Sequence, residues 1–419
     1  MTGSRAASIG ACLVVLLLAT GCDVQVYKSR APAAAHSDYD PTPGDYAQIS
    51  LMLAQRAAAV VKGDQESFLE SLDPEQPTLA EQQLVLFDNF RELGVTTLRY
   101  NLDRETIVTP DAVPGDDPFF RPEVAEVVGL PHTTRKPLVN PARMTFVKRE
   151  NQWYVAGDSQ PRDSDAYDAP LERPWFGEPI SMTTRGAMTV LMDKAEDGRL
   201  DDLADSVTDD VLVASTRLQR DPHYRLLVDA TSNGFAVDFS SVNDEEAAAV
   251  TFGLLGLDRD GYGLSAYAVK VNPDLVSLAT RQPGLMVHEL THFLLARVGG
   301  AAPQWASEGV ADWTAYPSVP AYVLVYGDPS AVLAEDRLPI RGTFNLDPSV
   351  SYALSYGAVT YLVAQRGIDR FLDFMLEYRK RYDGPDVDAL TPKLLKRFYG
   401  FTEDHVVQEA QRLLSEAKR

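Results

Sequence analysis

His288 and His292 lie four residues apart in the run Val287-His288-Glu289-Leu290-Thr291-His292-Phe293, with Glu289 between them. On an α-helix, residues at this spacing share a face, so two imidazoles can point at one ion while Glu289 sits on the same rim. Zinc suits such a pair: a catalytic zinc takes three protein ligands and keeps one open position. Glu308, in Trp305-Ala306-Ser307-Glu308-Gly309-Val310-Ala311-Asp312-Trp313, supplies the third donor. In that chemistry zinc acts as a Lewis acid and lowers the pKa of bound water to about 7. Glu289 then accepts a proton from that water and passes it to a leaving amine. Asp312 falls one helical turn after Glu308 and can turn its carboxylate to the free ring N–H of a ligating histidine, which orients the ring.

Two helices must position these groups. The first is expected over Pro283 to Val298, with Leu290, Phe293 and Leu294 turned to a core and Gly299-Gly300 as its stop. The second is expected from Gln304 to Tyr316, ended by Pro317. Fifteen residues separate His292 from Glu308, enough to finish one helix, turn back and bring the next alongside. Before this pair, Met182 to Ala195 reads as a helix, and Tyr224–Asp229, Gly234–Phe239 and Gly263–Asn272 alternate as half-buried strands do. The strand ending at Val269-Lys270-Val271-Asn272 comes just before the His288 helix; in zinc proteases with such a helix a strand so placed borders the cleft, which implies a free edge open to an extended peptide. Asp258-Arg259-Asp260-Gly261 reads as a turn, since it lacks a full calcium loop and the terminal glutamate. After the pair, the segments Ile368–Arg381, Pro392–Phe398 and Glu403–Ala417 are helical by period.

His288-Glu289-Leu290-Thr291-His292 together with Trp305, Glu308, Gly309 and Ala311 resembles the peptidase MA-like gluzincins, over residues 175–419. The resemblance implies a catalytic zinc, an active-site helix pair, and hydrolysis of a peptide bond in a peptide or protein substrate. Thermolysin-type gluzincins share the spacing from Glu308 to Asp312. A tyrosine or histidine in related enzymes donates to the oxyanion, and within Ser351 to Leu362 the resemblance favours Tyr356 over Tyr352 for that role.

The chain carries a net charge of −21, which argues against nucleic acid as a partner, because no clustered basic surface is available to neutralise phosphates. Arg5, the apolar run Ile9 to Leu18, and Ala19-Thr20-Gly21-Cys22 have the parts of a secretory signal over residues 1–21. That run is too short to span a bilayer, which takes about 20 apolar residues. Leu18-Ala19-Thr20-Gly21-Cys22 resembles the bacterial lipobox, which implies lipidation of Cys22 and a membrane anchor on the extracytoplasmic face. The only other cysteine is Cys12, inside the signal, so the processed chain can form no internal disulfide. Residues 22–44, with Pro32, Pro41 and Pro43 and no apolar period, read as a tether.

Residues 45–160 form a first unit. Ile49, Leu53, Ala57 and Val60 mark one helix; Phe68, Leu69 and Leu72 a second; Leu84, Leu86, Phe87, Phe90 and Leu93 a third. Strand-like alternation follows in Thr97–Leu102, Thr106–Thr109, Arg143–Lys148 and Trp153–Ala156. This order resembles the NTF2-like (SnoaL-like) cone fold. Pro161 to Pro174 reads as an interdomain linker. The expected architecture is α+β in both units: an NTF2-like cone, then a zincin-type domain with strands before the zinc helix and helices after it. The expected function is a lipid-anchored, extracytoplasmic zinc metallopeptidase. Two rivals are a zinc-containing lipoprotein that binds peptide without cutting it, and a ligand-binding first unit beside a structural zinc.

Overall fold

A computed structural model describes residues 39, 41–107, 119–159, 173–233, 249–258, 261–273, 276, 284–299, 301–326, 329–381 and 387–416. The signal segment, Cys22, most of the tether and the strand expected at Gly234–Phe239 lie outside them. Among the described residues no helix is long and apolar enough to cross a membrane.

Helix α1 (Pro43–Lys62) begins inside the segment read as tether, because Thr42 and Asp45 form a capping box and Pro43 occupies the first turn. It ends at Gly63, whose φ of +73° supplies the left-handed cap. Helices α2 (Gln65–Leu69) and α3 (Pro77–Glu92) follow, then strands β1 (Thr97–Ile107), β2 (Phe119–Phe120), β3 (Pro122–Gly129), β4 (Leu138–Arg149) and β5 (Gln152–Ser159). The second part opens on β6 (Ile180–Arg185) and β7 (Met188–Asp193), then α4 (Leu200–Leu218), β8 (Leu226–Ala230), β9 (Ala249–Asp258) and β10 (Gly261–Val271). Helices α5 (Leu285–Leu294), α6 (Ala296–Gly299), α7 (Gln304–Ala315), α8 (Val319–Tyr326), α9 (Pro348–Arg366), α10 (Ile368–Arg381), α11 (Thr391–Phe398) and α12 (Glu403–Glu416) complete the chain.

The fold is mixed α+β, as expected, around a curled half-barrel sheet. Its strand order is β1-β3-β4-β9-β10-β8-β7-β6, with β2 and β5 paired to β4 off that path. Three expectations are corrected. The helix expected over Met182–Ala195 is instead the β6–β7 hairpin, paired from Ile180↔Asp193 to Arg185↔Met188. Gly186, at φ +61°, takes the first position of its two-residue turn, and Thr183, Thr184, Thr189 and Val190 supply the β-branched residues that favour strands. The strand expected to offer a free edge, β10, lies inside the sheet: Val269 pairs with Val228 on one side and Thr251 on the other. The strand beside α5 is β9, whose other edge pairs, among the described residues, only where Gly256 meets Leu138 of β4.

The third correction concerns the linker. Its described end is not solvated, because Arg173 is fully buried between Asp158 (Nη2 to Oδ1, 2.6 Å) and Glu126 (Nη1 to Oε2, 3.3 Å). The expected boundary does not divide the core either. One cluster joins Phe68, Phe87, Phe90 and Leu98 to Trp175, Ile180, Leu227, Leu254 and Ala268. Asn89 of α3 fastens the junction: its Nδ2 donates to the carbonyls of Trp175 and Glu178, both at 2.9 Å, and its Oδ1 accepts from the Ile180 N–H at 3.0 Å.

Candidate metal centre

Helix α5 is capped by Gly284, whose φ of +97° suits glycine and whose backbone lies against the Tyr316 ring. The helix is almost wholly buried, with Leu290, Phe293 and Leu294 in the core as their spacing implies. It ends at Leu294, short of the expected Val298, and α6 continues after Leu295. Helix α7 returns alongside it, wedged against α9 at Gly309, where a Cβ would stand 2.5 Å from the Ser355 carbonyl oxygen. Trp305 packs the start of α7 on Phe374 of α10. The pair therefore forms as its spacing predicts, and a third helix holds it from behind.

His288, His292 and Glu308 form a group that could hold a metal ion. The Nε2 atoms of the two histidines are 3.1 Å apart. Glu308 Oε2 is 3.3 Å from His288 Nε2 and 3.5 Å from His292 Nε2. Tetrahedral coordination with bonds of about 2.0–2.1 Å spaces neighbouring donor atoms by roughly 3.3 Å, which these distances bracket. Glu308 is fully buried and neither of its carboxylate oxygens makes a well-aligned hydrogen bond among the described residues. A buried carboxylate left so is costly unless a cation completes it.

Asp312, also buried, sits behind His288, with Oδ1 2.7 Å from Nδ1. That contact places a proton on Nδ1 and leaves the Nε2 lone pair facing His292 and Glu308. Two such lone pairs and a carboxylate converging at these distances repel one another until a proton or a metal stands among them. The electrostatics of the metal-free group follow. Burial works against charge on His288, but Asp312, Glu308 and Glu289 outweigh it and hold the pKa up at about 10. Burial likewise opposes charge on Glu308, yet the two histidines bring its pKa down to about 2. For Glu289 and Asp312 burial prevails and both carboxyls are pushed up.

Glu289 lies on the rim of the same helix, fully buried, its Oε2 2.8 Å from Thr251 Oγ1 on β9. Neither β9 nor Thr251 is among the residues the motif points to; the apolar run Ala249–Leu257 ahead of the Asp258–Gly261 turn is the hairpin signal that marks them. The structure sorts the two tyrosines opposite to expectation. Tyr352 is the one beside the histidines, its ring centroid 6.5 Å from that of His288 and edge-on to Phe344. Tyr356, one turn further along α9, is stacked on Tyr322 at 4.1 Å and 5°, buried in the core behind the ligands. The charge of Asp312 reaches both of these stacked phenols, whose pKa values burial and that charge raise. Thus His288, Glu289, His292, Glu308 and Asp312 are brought together and Tyr356 is not. The arrangement can bind a cation through three side chains, hold one imidazole in a single tautomer, and present a carboxylate next to the bound ion. The chain matches no protein-family model, no curated protein and no solved structure.

Proposed function

We propose that this protein is a zinc metallopeptidase of the gluzincin type, hydrolysing peptide bonds in a peptide or protein substrate. The observation that carries the reading is the convergence of His288 Nε2, His292 Nε2 and Glu308 Oε2 within 3.1–3.5 Å, with the Glu289 carboxylate beside them. Two imidazoles and one carboxylate suit zinc, and three ligands leave a position open. Zinc held there would polarise the scissile carbonyl and acidify an attacking water.

The side chains divide the remaining work. Asp312 accepts a hydrogen bond from the Nδ1–H of His288 and keeps its Nε2 available. Glu289 Oε1, buried with no hydrogen-bond partner among the described residues, is the proton acceptor and later donates that proton to the leaving nitrogen. Tyr352, rather than Tyr356, is the phenol close enough to His288 to serve as a donor near the reacting carbonyl. Strand β9, which packs beside α5 and carries Thr251, would run along an extended substrate bound at the site. The first unit is taken as an NTF2-like scaffold and the second as zincin-like. Cys22 is taken as the lipid anchor on the extracytoplasmic face.

Metal analysis paired with a peptide-library digest tests the reading. The wild type should carry about one zinc per chain and cut; Glu289→Gln should keep the zinc and lose cleavage by a factor on the order of a thousand or more. A zinc-loaded wild type that cuts nothing would leave the non-catalytic peptide-binding lipoprotein as the better account.

A further inference from the structure

Thr251 belongs to no metal-binding motif, yet it is the described residue that hydrogen-bonds the Glu289 carboxylate. Its Oγ1 lies 2.8 Å from Glu289 Oε2 and 3.0 Å from the Glu289 backbone carbonyl oxygen. The second carboxylate oxygen, Oε1, is buried without a hydrogen-bond partner among the described residues. Buried carboxylate oxygens are mostly hydrogen-bonded, so an exception calls for an account. Here one oxygen is held and the other is left for chemistry.

We propose that Thr251 is a positioning residue for Glu289, fixing one carboxylate oxygen from strand β9 so that the other meets the proton it must take. The inference rests on the peptidase reading and adds to it a residue outside the zinc motif. A threonine hydroxyl carries one hydrogen and can also accept one. With Glu289 ionised, the hydroxyl donates to Oε2. Once Glu289 holds the catalytic proton on Oε1, Oε2 is still an acceptor and the hydroxyl goes on donating to it. The link thus survives both halves of the proton transfer. Because β9 would also run along the substrate, the strand that would align the peptide also aligns the base.

The test uses the full-length zinc-loaded protein and the variants Thr251→Val, which keeps the shape and removes the hydroxyl, and Thr251→Ser, which restores it. Thr251→Val should lower kcat roughly ten- to a hundredfold, the range of one hydrogen bond to a charged group, with KM and zinc affinity within about twofold of wild type. Thr251→Ser should recover kcat to within about threefold. Crystal structures should show the Glu289 carboxylate fixed in wild type and displaced or in several rotamers in Thr251→Val. Unchanged kcat with Glu289 in place, equal loss in Thr251→Ser, or a parallel fall in zinc affinity would each overturn the proposal. A wild type that cuts nothing would overturn the peptidase reading instead, and the Glu289 position in the two crystal structures would then decide the role of Thr251 alone.

Discussion

At the residue scale, His288 carries two jobs on one ring: Nδ1 is committed to Asp312 at 2.7 Å and Nε2 faces the other donors. Replacing His288 with Ala, or Glu308 with Gln, should abolish stoichiometric zinc by atomic emission. Asp312→Asn should retain zinc with affinity lowered about ten- to a hundredfold, because the ring loses its anchor. In the metal-free protein the His288 pKa stands at about 10, against an ordinary value of 6.5, so the ring is protonated at neutral pH. Zinc must displace the Nε2 proton, and its affinity should climb about tenfold per pH unit between pH 7 and 9 in chelator competition. A flat profile would contradict the assignment. The sign for stability is opposite. A raised folded-state pKa stabilises fully below the unfolded value and is lost as pH rises toward about 10. The metal-free protein should therefore melt at a lower temperature at pH 9.5 than at pH 6.5, by differential scanning calorimetry, while the zinc-loaded protein loses less.

At the scale of elements, the site depends on how closely α7 approaches α9. Gly309, next to the ligand Glu308, faces the Ser355 carbonyl oxygen at 2.5 Å and Val359 Cγ2 at 2.7 Å from where a Cβ would be. Backbone cannot yield as a flexible side chain does, so Gly309→Ala must push α7 outward. The expected cost is about 1–3 kcal/mol in urea denaturation, as for other overpacked sites. Weaker zinc binding should accompany it, since Glu308 and Asp312 move with the helix. A variant of wild-type stability and zinc affinity would show that this contact does not set the position of α7.

At the scale of the whole molecule, the first unit is joined to the second by sheet, core and buried polar contacts together. Leu138 of β4 pairs with Gly256 of β9, and the Leu257 N–H donates to the Pro137 carbonyl at 2.8 Å. Phe87, Phe90 and Trp175 share a cluster with Leu227, Leu254 and Ala268. Elements that share buried apolar surface unfold together, so calorimetry should show one main transition for the described fold. Asn89→Ala removes three hydrogen bonds at the junction and should cost on the order of 3 kcal/mol. Two well-separated transitions, with Asn89→Ala affecting only one, would show the units to be independent.

The local pattern alone carried the α5–α7 helix pair, the shared face of His288 and His292, and the reach of Glu308, because helical spacing and stop signals are short-range properties of the chain. It also carried the mixed α+β class. Other features depended on what meets what across long sequence distances. Apolar spacing in Met182–Ala195 fits a helix until Gly186 and the pairing with β8 make it a hairpin. Tyr352 and Tyr356 share a face of α9, and only the stack with Tyr322 and the approach to His288 tell them apart. Which strands lie inside a sheet is a property of the sheet order, which places β10 between β8 and β9 and so takes from it the free edge expected of it. The hydroxyl of Thr251 reached Glu289 by the same tertiary pairing, since nothing in the local sequence around residue 251 points to a carboxylate 38 positions away.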